Sequence, residues 1–399
     1  MQYRTLDQAD MRGKRVLLRA GFDVPMEHGR VLDAERVRAV LSTMRAILDA
    51  GASLILLAHQ GRPKGEGFEA VFSQKPLVPV LEKLLNVSVA FAPSCVGPET
   101  LALALALRPG QVLLLENLRF HKGEKKNDPA FAKELAHLGD LYVNDAFPNM
   151  HRSDASMVWV AKLLPSYMGI RCAEEVRHLS SVLEDPRRPL TVIIGGAKME
   201  TKIPVIASFL TSADDILLGG TIANTFIAAR GFAVGRSKYE PAFVPRAQEF
   251  MLEGEKEDLA DIHVPRDAVV ASEPKEGAAT LDIPLEDIEG DMAIYDIGSV
   301  TAERYAVRIA ASGMVVWNGP VGIYEVPTFS RGTRRLAEAI ARATRERGVA
   351  SIVGGGDTLD FHKRCGLDLS PYSFVSTGGG AMLEFLSGRQ FHALEALSL

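Results

Sequence analysis

Short, nearly continuous apolar runs alternate along the chain with longer stretches in which apolar residues recur every three or four positions. Runs at 16–20, 54–58, 112–115 and 141–143 predict buried strands in the first half, and runs at 190–194, 216–218, 314–317, 351–353 and 373–375 do so in the second. Val37, Val40, Leu41, Met44, Ile47 and Leu48 carry the spacing of one apolar helix face. Strands that are apolar throughout and separated by helices imply parallel sheets covered on both faces, hence an α/β protein. A helix over 171–183 is stopped by Glu184-Asp185-Pro186-Arg187-Arg188-Pro189, because proline cannot continue a helix and restricts the residue before it. The stop divides the 399 residues into two doubly wound domains of similar size, 1–170 and 187–375, joined by a connecting helix at 171–186 and separated by a cleft.

Composition narrows the function. Hydrophobic residues at 47% and charged residues at 24% exclude a disordered tail, a collagen-like fibre and a disulfide mini-protein. Lys+Arg number 45 against Asp+Glu 50, a net −5 without a basic block, which argues against nucleic-acid and membrane-surface partners. Residues 1–185 hold 23 basic and 22 acidic side chains, and residues 186–399 hold 22 and 28. Cys95, Cys172 and Cys365 lie far apart without metal-ligand spacing and read as reduced thiols. Residues 1–15 are polar, and the longest apolar run, about 101–107, is far short of a membrane span. The expected protein is soluble and cytoplasmic.

Glycine follows the strands of the second half five times: Gly195-Gly196-Ala197-Lys198, Gly219-Gly220-Thr221, Asn318-Gly319-Pro320-Val321-Gly322, Gly354-Gly355-Gly356-Asp357-Thr358 and Ser376-Thr377-Gly378-Gly379-Gly380. Beyond the carboxyl ends of parallel strands, glycine lets backbone N–H groups approach a ligand, and the next helix N-terminus favours an anion. Neither G-x-x-x-x-G-K-[ST] nor G-x-G-x-x-G is present, so the crevice belongs to neither a P-loop protein nor a plain dinucleotide binder. Lys198 and Lys202, around a helix start, are suited to neutralising a polyphosphate. Asp357 suits either a helix N-cap or a contact with nucleotide-bound magnesium.

The first half places basic residues at its strand ends instead: Arg19, His59 and Arg62, Arg119, and His151-Arg152, with Arg36 opening the amphipathic helix. Arginines converging on one sheet edge make a bidentate anion site. The pattern implies a small, multiply charged anion facing a nucleotide.

These residues carry a resemblance. The chain resembles the phosphoglycerate kinase family over essentially its whole length, in Gly21-Phe22-Asp23-Val24-Pro25, Ala58-His59-Gln60-Gly61-Arg62-Pro63, Glu116-Asn117-Leu118-Arg119-Phe120, Val143-Asn144-Asp145-Ala146-Phe147, Gly195-Gly196-Ala197-Lys198, Val316-Trp317-Asn318-Gly319-Pro320, Gly354-Gly355-Gly356-Asp357-Thr358 and Ser376-Thr377-Gly378-Gly379-Gly380, in the family's order. The resemblance implies reversible transfer between 1,3-bisphosphoglycerate and MgADP, giving 3-phosphoglycerate and MgATP. It assigns the triose to Asp23, Arg36, His59, Arg62, Arg119 and Arg152, with Gly21, Phe22, Gln60 and Gly61 in the same loops. It assigns the nucleotide to Gly195, Gly196, Ala197, Gly219, Gly220, Asn318, Gly322, Ile323 and Glu325, with Lys198 and Lys202 on the phosphates, Gly354, Gly355, Gly356 and Thr358 around them, and Asp357 on the magnesium. Arg36, Lys202 and the N–H groups of Gly378, Gly379 and Gly380 would stabilise the transferring phosphoryl group, with hinge closure bringing the substrates together and excluding water. Residues 376–399 are expected to return to the first domain. The expected working form is a monomer acting on small molecules.

The chain departs from the family pattern in places. Gly21-Phe22-Asp23 replaces Asp-Phe-Asn, and the missing aspartate is the family's contact to the triose hydroxyl. Either Asp23, two residues on and on the same face of an extended strand, takes over, or a water or backbone group does. Gln60 stands for Leu, Asp154 for the second His of an HRxHAS pattern, Thr201 for Asp, Thr221 for Gly, and Ser299-Val300 for Pro-Lys. Three readings stay open: a glycolytic kinase, a different acyl-phosphate kinase, and a nucleotide-binding homologue with little turnover.

Overall fold

A computed structural model describes residues 3–398. Met1, Gln2 and Leu399, which the expected ranges 1–170 and 376–399 include, lie outside the described residues. The chain forms two compact units: one runs up to Arg177 and resumes from Gln390 onward, and the other is His178–Arg389. The division falls inside the helix Ile170–Glu184. Only the segment from Gln390 groups with the first unit; residues 376–389, expected to return there, stay with the second. Packing explains the split, since the Ser208 hydroxyl of the second unit donates to the Leu386 carbonyl at 3.0 Å, whereas Phe391 meets Phe147 of the first unit with ring centroids 6.4 Å apart.

The first unit is built on six parallel strands: β1 (Arg15–Ala20), β2 (Ser53–Leu57), β3 (Val89–Ala92), β4 (Val112–Leu115), β5 (Leu141–Asp145) and β6 (Ser166–Met168), in the order β3-β4-β2-β1-β5-β6. β2, β4 and β5 are buried along their whole lengths, as strands covered on both faces must be. The expected helix over 37–48 forms as two pieces, Glu35–Arg38 and Leu41–Asp49.

The second unit has its own six parallel strands: β7 (Leu190–Ile194), β8 (Asp215–Leu218), β9 (Asp261–His263), β13 (Met314–Asn318), β14 (Ala350–Gly354) and β15 (Phe374–Ser376). Their order is β9-β8-β7-β13-β14-β15. Between β9 and β13 the chain adds a small antiparallel sheet of β10 (Asp267–Ala271), β11 (Leu281–Pro284) and β12 (Ala293–Ile297), in the order β11-β10-β12. No helix among the described residues is long and apolar enough to cross a membrane.

Both large sheets follow one rule. The chain lays its next strands on one side of its first strand, then crosses to the other side, at β5 in the first unit and at β13 in the second. Such switch points open a crevice beyond the carboxyl ends of the two central strands.

Candidate functional site

In the first unit the crevice lies beyond β1 and β5. Register pairs Ala20 with Asp145 and Arg19 with Leu57, so residues 21–23, 59–62 and 146–152 leave neighbouring strand ends together. Arg19 is fully buried and anchors this end of the sheet. Its Nε donates to Ser156 Oγ at 2.9 Å, its Nη1 to the Ala20 carbonyl, and its Nη2 to His59 Nδ1 at 2.8 Å. An arginine can only donate, so Nδ1 accepts and Nε2 of His59 carries the ring proton. Burial, then the charges of Arg19, Arg119, Arg152 and Arg36, hold the imidazole well below its ordinary pKa. His59 is therefore neutral, with a buried Nε2–H that lacks a hydrogen-bond partner.

Arg119 donates from Nη1 to the Gly61 carbonyl at 2.8 Å, but its Nε and Nη2 are buried without acceptors, as is Nε of Arg152. Burial, then the charge of Arg152, lower the Arg119 pKa, and Asp154 Oδ2, 3.9 Å from Arg119 Nη2, offsets this only in part. Buried donors left unpaired are costly, and an anion would satisfy them. Arg36 and Arg62 are exposed. Arg36 Nη1 donates to the Asp23 carbonyl at 2.6 Å, and Asp23 Oδ1 accepts the Gly61 N–H at 2.9 Å. Gly61 has φ +60°, and a Cβ there would stand 2.4 Å from the Phe72 ring, so only glycine serves this turn.

Two residues expected to meet the ligand do other work. Phe22 is fully buried in the core of the first unit, and both ends of the Gln60 carboxamide are bonded to the backbone of Val24.

In the second unit the crevice lies beyond β7 and β13. The N–H groups of Gly195 and Gly196 donate to the carbonyls of Asn318 and Pro320, both at 3.0 Å, and a Cβ at Gly195 would stand 2.1 Å from the Pro320 oxygen. Two pockets flank this junction. The first, about 200 Å³, is lined by Gly196, Ala197, Gly220, Gly322, Ile323 and Glu325. The second, about 300 Å³, is lined by Gly195, Lys198, Lys202, Asn318, Gly355, Gly356, Thr358, Gly379 and Gly380. Asp357 lines both.

Lys202 is buried and donates from Nζ to Asn318 Oδ1, while Lys198 is exposed at the cap of the helix Met199–Leu210. Burial pushes the Lys202 pKa down to about 8, with Asp357 pulling the other way. Asp357 is the second residue of the helix Gly356–Cys365; the capping place open to it in the sequence belongs to Gly355 at φ +101°. Thr358 is buried, and its hydroxyl accepts the Gly319 N–H at 2.8 Å.

Gly219, Gly354 and Gly378 line neither pocket. A Cβ would stand 2.3 Å from Val321 Cγ1 at position 219 and 2.4 Å from Met382 Sδ at position 354, and the Gly378 N–H donates to Ser376 Oγ at 3.1 Å. Close packing at 219 and 354 and a turn at 378 account for these three glycines locally. Sequence reasoning missed Asn224, Lys238, Tyr295, Asp296 and Tyr324, which also line the first pocket. The small antiparallel sheet brings Tyr295 and Asp296 there on β12, and no motif surrounds them. Burial pushes the Asp296 pKa up to about 8, against the N–H groups of Gly332 and Ile297 that donate to its carboxylate at 2.7 and 2.9 Å.

Comparison with known proteins gives one answer. Residues 6–389 match the family model described as phosphoglycerate kinase. The chain is 44% identical over 394 residues to the phosphoglycerate kinase of Moorella thermoacetica, covering 99% of this chain and 98% of that one. It is 41% identical over 397 residues to that of Rhodospirillum centenum, with 100% of both covered. Among solved structures, phosphoglycerate kinase from Coxiella burnetii superposes with a TM-score of 0.90 at 36% identity over 99% of each chain. That from Pyrococcus horikoshii OT3 gives 0.86 at 31% identity over 99% of this chain and 98% of the other. Sequence relatives and solved folds agree over the full length, and the chain belongs to the phosphoglycerate kinase family.

Proposed function

We propose that the chain catalyses reversible phosphoryl transfer between 1,3-bisphosphoglycerate and MgADP, giving 3-phosphoglycerate and MgATP, with the triose held by the first unit and the nucleotide by the second. One observation carries the triose assignment: His59 Nε2, Arg119 Nε and Nη2, and Arg152 Nε are buried donors without partners at one sheet end. Family membership favours this reaction over another acyl-phosphate kinase or a homologue with little turnover.

The nucleotide reading follows from the two pockets. The walls of Ala197, Ile323 and Tyr324 suit a base and Glu325 a ribose, while Lys198 and Lys202, lining the second pocket, suit the phosphates. Magnesium arrives with the nucleotide as part of the substrate and neutralises phosphate charge. Asp357, an oxygen donor lining both pockets, is the residue suited to meet it.

Both attacking oxygens, a carboxylate in one direction and a nucleotide phosphate in the other, are already ionised at neutral pH, so the reaction needs no general base. The residues position the reactants and offset charge on the transferring group. Lys202 holds its proton at Nζ for that purpose, Arg36 supplies a second cation, and the N–H groups of Gly379 and Gly380 add dipoles. With the two substrates on separate units, turnover needs a closure that also excludes water from the acyl phosphate. A coupled assay with 3-phosphoglycerate and MgATP tests the proposal. Robust turnover is the expected result, and nucleotide binding without turnover overturns it. The proposal includes a monomer in the cytoplasm; sedimentation of the purified chain tests the first and cell fractionation the second.

A further inference from the structure

Gly21 and Asn149 face each other across the switch point of the first sheet. They leave β1 and β5, whose ends pair Ala20 with Asp145. A Cβ at position 21 would stand 3.6 Å from Asn149 Oδ1 and 3.9 Å from Ala146 Cα and Pro148 Cδ. Those are ordinary contacts, so close packing does not explain the glycine, and its φ is not left-handed. The Asn149 carboxamide instead reaches the space that a side chain at position 21 would enter. Asn149 is 6% exposed, and its Oδ1 is buried without a hydrogen-bond partner. An acceptor left in that state destabilises the fold unless a ligand donates to it.

The neighbouring unpartnered groups sort by chemistry. His59 Nε2, Arg119 Nε and Nη2, and Arg152 Nε are donors, matched to carboxylate and phosphate oxygens. Asp154 Oδ2 is an acceptor but stands 3.9 Å from Arg119 Nη2. Asp23 gives Oδ1 to the Gly61 N–H, and its Oδ2 stands 3.9 Å from both Arg36 Nη1 and His59 Nε2. The Asp23 and Asp154 carboxylates thus already have cations or donors beside them, and Asp145, whose Oδ2 is also without a partner, gives its Oδ1 to the Cys172 N–H at 2.7 Å on the helix Ile170–Glu184. At neutral pH a phosphoglycerate offers acceptors at both ends and one carbon-bound hydroxyl, its donor. We infer that Asn149 Oδ1 accepts the hydrogen of that hydroxyl and makes the site selective for 2-hydroxylated phospho-acids. The inference rests on the triose assignment above. Gly21 is the other half of the arrangement, because a carboxylate there would set its oxygens against the carboxamide oxygen.

The test is steady-state kinetics with MgATP and either 3-phosphoglycerate or its 2-deoxy analogue, 3-phosphonooxypropanoate. The wild type is expected to prefer the hydroxylated acid. Asn149→Ala is expected to narrow the ratio of kcat/KM values by roughly tenfold, through the KM for the triose, with the KM for MgATP steady. Gly21→Asp alone is expected to weaken triose binding, and in the Asn149→Ala background to restore the discrimination. Asn149→Ser, which keeps an acceptor, gives an intermediate ratio and replaces the alanine variant should that one fail to fold. An unchanged ratio in Asn149→Ala or Asn149→Ser overturns the inference, as does a ratio lost in Asp23→Asn and kept in the Asn149 variants. A wild type without turnover on 3-phosphoglycerate overturns the reaction itself, an outcome distinct from turnover with unchanged discrimination.

Discussion

Gln60 grips Val24 twice: its Oε1 accepts the Val24 N–H at 3.2 Å, and its Nε2 donates to the Val24 carbonyl at 2.6 Å. The two bonds tie the loop after β1 to the loop after β2, and both residues are buried. Gln60→Leu would leave an N–H and a carbonyl without these partners, at a cost of about 2 kcal/mol. Urea unfolding should show the lowered midpoint, and the KM for 3-phosphoglycerate should rise as the two loops loosen. An unchanged midpoint would mean that the pair contributes nothing.

Lys202 should set the alkaline limit of the reaction. In the free protein its pKa is lowered to about 8, so the ammonium is lost as pH rises through that value, and kcat/KM for the nucleotide should fall there. The kcat profile should break at higher pH, because bound phosphates favour the charged form. Lys202→Ala should lower kcat by roughly 100-fold or more, as loss of a transition-state contact does. A kcat near the wild-type value would remove Lys202 from the chemistry.

His59 acts as a neutral donor, so it should add no break of its own to the triose kcat/KM near pH 6.5, and the profile there should be the same in His59→Gln. Its folded pKa lies well below the unfolded value, so the unfolded chain takes up the proton first. Stability should therefore fall as pH drops below about 6.5, and His59→Gln should flatten that loss. His59→Gln keeps a donor and should retain more triose affinity than His59→Leu. Equal affinities in the two variants would exclude the Nε2–H as a ligand contact.

Two glycines near the nucleotide pockets should respond in opposite ways. Gly219→Ala forces a methyl against Val321 Cγ1 and its backbone Cα, at 2.3 and 2.7 Å, and should cost about 1–3 kcal/mol. A methyl on Gly356 would meet nothing within 4 Å, so Gly356→Ala should stay within about 0.5 kcal/mol of the wild type while crowding the second pocket. Thermal unfolding without nucleotide, set beside the KM for MgATP, separates the two effects.

Thiol chemistry should single out one cysteine. Cys95 and Cys172 are fully buried, burial raises both thiol pKa values, and the Cys95 thiol donates to the Glu116 carbonyl at 2.8 Å. Cys365 is partly exposed. A thiol-specific reagent should modify about one group in the native chain, at Cys365, and all three after denaturation.

The central strands were legible because strands buried on both faces are apolar at every position, which is how 54–58 and 112–115 announced β2 and β4. β3, β9 and β11 were not, because all three lie at sheet edges, where β3 mixes exposed with buried positions and β9 and β11 bury none fully. The candidate site was legible where a motif sits just beyond a strand end, as at His59 and Arg119, whereas Lys202 lies a turn into the helix that follows its motif. Asn149 and Tyr324 gave no signal, because each gains its place from a neighbour distant in sequence. Phe22, Gly219 and Gly354 sat inside motifs yet serve packing, since a motif records what a loop needs to hold its shape as well as what touches a ligand.

Arg19 joins the interior of the first unit to its ligand loops through a single guanidinium, reaching Ser156, Ala20 and His59. A change beneath that guanidinium cannot alter recognition without also weakening the fold. Gly21, Gln60, Asn149 and Asp154 are buried as well, and the two bonds from Gln60 to Val24 make fold and recognition share these loops. This chain's departures from the phosphoglycerate kinase pattern at Gly21, Gln60 and Asp154 thus fall at buried positions, where substrate preference and stability change together.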